Sequence, residues 1–269
     1  MKHVMTWIQR DKSFRRMGKW RYNNNADYPI RNLMAQVDNS INFGQKPEDI
    51  IICTNFDFQY RGITNYRVQN VNPVSAWLNK SVAVFELIEN GILKDDVWIH
   101  DLDAWQVHPF TFPDNGIGFD GSAEYIHQEC GDVACPIFHG PGRPQGAVIF
   151  YKSTGLDIAR EVYRSVLTGT SSNDEVHMKH IYRAHGVRNK DNPTGRWTIL
   201  NRSWCGHLGQ TSRMDRPWFI VHYKPDCGER PGYLEPLDGW QLVTEPVKEL
   251  FVRYKLLPKA GEETVSTDE

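Results

Sequence analysis

The stretch DDVWIHDLDAW, residues 95–105, decides how the first hundred residues are read. Its short apolar run, VWIH, ends abruptly in Asp101-Leu102-Asp103 and is followed at once by an aromatic. Uninterrupted apolar residues bounded by acids are the pattern of a strand covered on both faces, as in a parallel sheet. Two carboxylates two residues apart on the turn leaving such a strand can face one hard divalent cation. Such a cation takes oxygen ligands and commonly completes its shell with phosphate oxygens. The competing reading is a solvated turn or a helix cap. A chain with this many aspartates contains about one D-x-D by chance, so position has to decide.

Position follows from what lies upstream. HVMTWIQ, residues 3–9, is β-branched and aromatic enough for a first strand. In DYPIRNLMAQVDNSI, Pro29 stands where a first helical residue would, and Ile30, Leu33, Met34, Val37 and Ile41 recur at helical spacing. EDIIICTNF, residues 48–56, reads as a second buried strand. A second helix is marked by Pro73 near its start and Gly91 just past its end, with Trp77, Leu78, Val82, Val84, Phe85 and Ile88 between. Strand, helix, strand, helix, strand implies a doubly wound α/β architecture, a Rossmann-like, mostly parallel central sheet flanked by helices. Ligands bind such sheets beyond the carboxyl ends of the strands, which is where Asp101 and Asp103 fall. Asp95 and Asp96, just as acidic, fall at the opposite end.

Downstream, residues 106–146 are rich in Gly, Pro and polar residues and imply a shaped loop region with short strands. GAVIFYK (146–152) restores a strand, LDIAREVYRSVL and NDEVHMKHIYRAHG read as helices, and short strands follow around RWTIL and WFIVHY. TEPVKELFVRYKLL closes the pattern as a helix. We expect one domain over residues 1–258 and a disordered polar tail over 259–269. No internal repeat is present.

Composition narrows the class. The 269 residues are 40% hydrophobic and 24% charged, and no apolar run approaches the ~20 residues of a membrane-spanning helix, so a soluble protein is expected. MKHVMTWIQ is too short in its apolar part to be a secretory signal. Five cysteines without a CxxC pair argue against a disulfide framework or a cysteine zinc site, and for a reducing cytoplasm, a host's if the chain is viral. A net charge of -2 excludes a uniformly basic nucleic-acid binder but not a local patch. QRDKSFRRMGKWRY, residues 9–22, is one: Arg10, Lys12, Arg15, Arg16, Lys19 and Arg21 stand against Asp11, interleaved with Phe14, Trp20 and Tyr22. Such a loop clamps a donor diphosphate, grips a nucleic-acid backbone while aromatics stack on bases, or is simply solvated.

Together, WIHDLDAWQ after a helix ending in ENGIL resembles the metal-binding DxD segment of GT-A fold glycosyltransferases. GAVIFYK resembles the strand that often follows DxD in these enzymes and lines the acceptor side, and SSNDEVHM resembles the acidic helix start that faces the sugar. FIVHYKPD resembles the His-Lys-Pro segment of glycogenin-like and bacterial galactosyltransferase-like members, with the spacer shortened to Tyr223. The resemblance covers most of residues 1–225 in element order. It implies a nucleotide diphosphate sugar donor, a hydroxyl acceptor, and Mn²⁺ or Mg²⁺ held by Asp101, Asp103 and His222, with Lys224 on the diphosphate. Imidazole among the ligands leans towards Mn²⁺. The His-Lys-Pro segment points to retention of configuration.

Other residues carry two readings each. Asp174 and Glu175 supply a general base or stabilise an oxocarbenium-like centre, or are an ordinary acidic helix start. Thr6 and Trp7 end the first strand where the resemblance puts the donor base, and Trp7 stacks on it or belongs to the core. Lys80 approaches the donor phosphates or is a solvated lysine; His222 is a ligand or a core histidine. Asp120, in GFDGS, contacts sugar hydroxyls or marks a turn. Some bacteriophage enzymes glycosylate hydroxymethylated bases in DNA. A chain of this size with a basic aromatic loop is similar in outline, which makes Arg15, Arg16, Lys19 and Arg21 acceptor contacts and double-stranded DNA a partner. The alternatives are a saccharide acceptor, a sugar nucleotidyltransferase, and a nucleic-acid-binding module. The nucleotidyltransferase ranks lower because the loop after strand one has only Gly18.

Overall fold

The structure is a computed structural model that describes residues 1–8, 27–71, 76–110, 130–136, 144, 146–169, 174–188, 191–200, 204, 206–207, 219–222 and 243–256. Its elements, in chain order, are β1 (Lys2–Trp7), α1 (Tyr28–Asn42), β2 (Ile50–Thr54), β3 (Gln59–Tyr60), β4 (Ile63–Thr64), β5 (Tyr66–Arg67) and α2 (Ala76–Glu89). Then come β6 (Val97–His100), β7 (Ala104–Gln106), β8 (Val133–Pro136), β9 (Val148–Tyr151), α3 (Leu156–Thr168), α4 (Asp174–His185), β10 (Trp197–Leu200), β11 (Gly206–His207), β12 (Ile220–His222) and α5 (Glu245–Arg253).

Seven strands form the main sheet in the order β10-β8-β9-β6-β1-β2-β5. Strands β6, β1, β2 and β5 run parallel, as do β8 and β10, while β9 is antiparallel to both its neighbours. The expected mostly parallel α/β sheet is therefore present. Alternation along β1 sends successive side chains to opposite faces. Met5 joins Ile50 and Ile52 under Leu33 and Val37 of α1. Val4 joins Cys53, Val97 and Ile99 under Val82 and Leu87 of α2 and Ile158 and Val162 of α3. Each such fully buried aliphatic side chain contributes roughly 1.5–3 kcal/mol.

These two crossovers make the strand order turn back at β1. Helix α1 carries the chain from β1 to β2 on one side, and α2 carries it to β6 on the other. The carboxyl ends of β1 and β6 consequently flank a topological switch point, the crevice where open α/β sheets take their ligands. Trp7 and Asp101 stand at its two walls. Asp96, at the amino end of β6, is turned to structural use: its carbonyl accepts from the Lys2 N–H at 2.8 Å and its Oδ1 from the Ser153 N–H at 2.8 Å.

Two features depart from the expected elements. The second strand ends at Thr54, and the chain then forms the β3–β4 hairpin around Arg61 (φ 53) and Gly62 (φ 77). Two positive φ values at the centre of a two-residue loop match the right-handed twist of the flanking strands. The chain leaving the DLD turn also enters a small second sheet, β11-β12-β7, in which β12 is antiparallel to β7. Trp105 of β7 packs edge-on against Phe251 of α5, ring centroids 4.6 Å apart, beside Tyr28 and Ala35 of α1. Among the described cysteines, Cys53, Cys130 and Cys135 are buried free thiols. No helix among the described residues is long and apolar enough to cross a membrane. The expected tail over 259–269 lies outside the described residues.

Candidate active site

The DLD turn is anchored through its middle residue. Leu102 is 6% exposed and packs in the cluster of Met5, Leu33, Ile52 and Phe58, while Asp101 and Asp103 are only half-buried. The turn is closed by the Ala104 N–H donating to the Asp101 carbonyl at 3.0 Å. His100, stacked on Trp98 at 3.8 Å, has Nδ1 3.1 Å from the same carbonyl. Burial pushes the His100 pKa down to about 4, against the opposing pull of the Asp101 and Ala104 carbonyls. The ring is therefore neutral at physiological pH, and its Nδ1–H is the donor to the Asp101 carbonyl.

Lys80 connects the turn to the acidic start of α4. Its Nζ lies 3.0 Å from Asp101 Oδ1 and 2.9 Å from Asp174 Oδ2, and it donates to the Gly146 carbonyl at 2.8 Å. The ammonium thus donates two hydrogen bonds and is ion-paired with a second carboxylate. The Lys80 side chain is 13% exposed, Asp174 11% and Asp101 40%. Burial by itself would lower the Lys80 pKa, but the charges of Asp101 and Asp174 outweigh it and hold the pKa well above its ordinary value. The reading of Lys80 as a solvated lysine is thus corrected: a 13%-exposed side chain cannot sit in water, and only paired carboxylates make that burial tolerable.

Asp174 and Glu175 are, as the acids of a first helical turn, the N-terminus of α4. Asp174 Oδ1 accepts from the Glu175 N–H at 3.0 Å, and Glu175 Oε1 from the Gly146 N–H at 3.4 Å. Gly146 is held on both sides: its carbonyl by Lys80, its N–H by Glu175. A Cβ at this position would fall 2.7 Å from Asp174 Oδ2, so the close approach of the carboxylate requires glycine here. Sequence reasoning took Gly146 as the start of a strand and missed this role; nothing in a lone glycine signals it.

The remaining expected residues divide by location. Thr6 pairs with Cys53 in register and Trp7 with Thr54, both at the carboxyl end of β1 and both part-exposed. Trp7 also packs against the Met5 and Leu102 cluster, as its core reading expects. His222 lies on β12 opposite Ala104, one residue from Asp103, and opposite His207 on β11. His207 was not singled out from the sequence, because only strand pairing brings it beside His222. Arg15, Arg16, Lys19, Arg21, Asp120 and Lys224 lie outside the described residues, as does the His222 side chain.

Among the described residues no group of three His, Cys, Asp or Glu side chains is placed to hold a metal. The donor set nonetheless suits a hard or borderline divalent ion: two carboxylates on one turn, with the backbone of a histidine in register next to them. Charge points the same way. Asp101 and Asp174 share the Lys80 ammonium, and Asp103 and Glu175 lie within two residues of them along the chain.

Neither a protein-family model nor a curated protein sequence matches this chain. Solved structures do. The glycosyltransferase GlyE of Streptococcus pneumoniae TIGR4 is similar over 97% of this chain, with a TM-score of 0.51 and 11% identity, and the chain spans 66% of that protein's length. A glycosyltransferase involved in the glycosylation of the major capsid of PBCV-1 is similar over 96% of this chain and 100% of its own, with a TM-score of 0.51 and 8% identity. At these identities the likeness establishes the fold, which is that of GT-A glycosyltransferases.

Proposed function

We propose that this protein is a metal-dependent glycosyltransferase that moves a sugar from a nucleotide diphosphate sugar to a hydroxyl acceptor. The observation that carries the reading is the Lys80 ammonium joining Asp101 of the DLD turn to Asp174 of α4 at the switch point of a GT-A sheet. Asp101 and Asp103, with His222 completing the set, hold Mn²⁺ or Mg²⁺. The bound ion supplies charge neutralisation for the diphosphate leaving group.

Around it, this chain's residues orient the donor. Thr6 and Trp7 line the base, Lys224 faces the phosphates and Asp120 meets sugar hydroxyls, while Lys80, bonded to Asp101 and the Gly146 carbonyl, acts on the donor through Asp101. With one oxygen on Lys80 and the other on the Glu175 N–H, Asp174 takes the electrostatic role towards a positive anomeric centre. Glu175 takes the acceptor proton where the reaction inverts.

The test is turnover of a panel of uridine and guanosine diphosphate sugars with Mn²⁺, in wild type and in Asp101→Ala. Loss of several kcal/mol of transition-state stabilisation lowers kcat/KM about 10²- to 10³-fold. Unchanged turnover in Asp101→Ala ends the reading, and pyrophosphate release from a nucleoside triphosphate replaces it with a nucleotidyltransferase.

For the acceptor we infer a hydroxymethylated pyrimidine in double-stranded DNA, supported by the six cations and three aromatics of residues 9–22. Duplex binding at low salt that weakens when Arg15, Arg16, Lys19 and Arg21 become alanine supports this acceptor. Absence of binding leaves a saccharide as the acceptor.

A further inference from the structure

Helix α1 presents an unusual buried stripe to the turn. Asn32, Gln36, Asn39 and Ser40, at helical spacing, are each 5% exposed or less, although they lie on a packed helix between two hydrophobic clusters. Buried amides and hydroxyls are costly unless bonded, and three of these are bonded to the strands that shape the site. Ser40 Oγ is 3.2 Å from His3 Nδ1, and Asn39 Nδ2 donates to the Gln106 carbonyl at 3.2 Å. Gln36 Nε2 donates to the Leu102 carbonyl at 2.7 Å and reaches the Ala104 carbonyl at 3.4 Å.

We propose that Gln36 is a positioning residue for the DLD turn, holding the peptide between Asp101 and Asp103 so that the two carboxylates converge on one cation. The inference rests on the proposed metal site. Its physical basis is that three independent anchors fix the turn. The Leu102 side chain is packed in the core, the Asp101 carbonyl takes bonds from Ala104 N–H and His100, and the Leu102 carbonyl is held by Gln36. The first two fix where the turn begins and how deeply it sits. The bond from Gln36 fixes the rotation of the middle peptide plane, and with it the angle between the flanking side chains. Residues that orient metal ligands from behind act on affinity without touching the ion.

The experiment compares Mn²⁺ dissociation constants, read from the electron paramagnetic resonance of free Mn²⁺, for wild type, Gln36→Met, Gln36→Asn and Asn39→Leu. Gln36→Met keeps the volume and removes the donor; its dissociation constant rises about 10- to 100-fold. Gln36→Asn, one methylene shorter, withdraws the donor while keeping an amide. It shows the same direction of change and serves if the Met variant does not fold. Asn39→Leu strands the Gln106 carbonyl one turn further along and loses stability to a similar degree, yet binds Mn²⁺ as wild type does. The inference is overturned if the folded Gln36 variants bind Mn²⁺ normally, or if Asn39→Leu weakens binding as much as they do. Wild type that binds no Mn²⁺ removes the metal site and this inference together, a result distinct from normal binding by the variants.

Discussion

Two buried carboxylates of this protein, Asp174 and Asp38, are held in opposite ways. Asp38, on α1, is 3% exposed and surrounded by donors. Tyr254 Oη donates at 2.6 Å, Tyr60 Oη at 3.1 Å and Arg61 Nε at 3.1 Å, and Arg253 Nη1 lies 3.5 Å away. One acid thus ties α1, the β3–β4 hairpin and the end of α5 together, with two guanidiniums for one negative charge. Around Asp174 the balance is reversed: one ammonium serves two carboxylates, and its partner Asp101 is 40% exposed. A saturated, cation-rich cluster joins elements. An acid-rich one that opens at a switch point keeps uncompensated negative charge, and under the proposed function that asymmetry separates the structural ion pair from the one at the candidate site.

Lys80→Met carries the largest expected effect, because it strands Asp174 in an 11%-exposed position; removing one partner of a buried pair costs about 3–5 kcal/mol. Urea denaturation should show this, and a loss under about 1 kcal/mol would mean that Asp174 finds another partner or water. Asp38→Ala is expected to cost less, about 2–3 kcal/mol. Arg61 and Arg253 are 54% and 57% exposed and return to water once their acceptor is gone. Its turnover per folded molecule should match wild type; a fall in kcat would show that the Asp38 cluster reaches the site.

The smallest effect at neutral pH is expected for His3→Gln, and it sharpens the contrast by pH. Burial, then His100, then the N-terminal ammonium push the His3 pKa well below its ordinary 6.5. The unfolded chain therefore binds a proton that the folded one refuses. Stability is complete above about pH 6.5 and is lost as pH falls below it. Urea midpoints at pH 7.5 and pH 5 should differ more for wild type than for His3→Gln. Equal differences would place the acid sensitivity elsewhere.

Much of this was legible in the chain itself. The uninterrupted apolar runs around Ile50–Thr54 and Val97–His100, separated by amphipathic helices, imply parallel strands, and parallel strands imply a ligand crevice at their carboxyl ends. Asp101 and Asp103 follow from that logic, and so does the distance of Asp96 from them. Lys80 was singled out as approaching the donor phosphates, but its burial between Asp101 and Asp174 did not follow, since a lysine on an amphipathic helix looks solvated until the helix is docked. Gln36 and Asn39 carried a signal that apolar periodicity overlooked: amides recurring at helical spacing beside Leu33 and Val37. Arg61 was hidden because its positive φ depends on the hairpin register.

The amino-acid sequence by itself determined the order of strands and helices and the end of the sheet at which the acidic turn lies. Both are local consequences of hydrophobic period and chain direction. Tertiary structure alone decided which groups meet: Lys80 with Asp101 and Asp174, Gln36 with the Leu102 carbonyl, His222 opposite Ala104. Those partners lie 21 to 118 residues apart, and only packing brings them within hydrogen-bonding or strand-pairing reach.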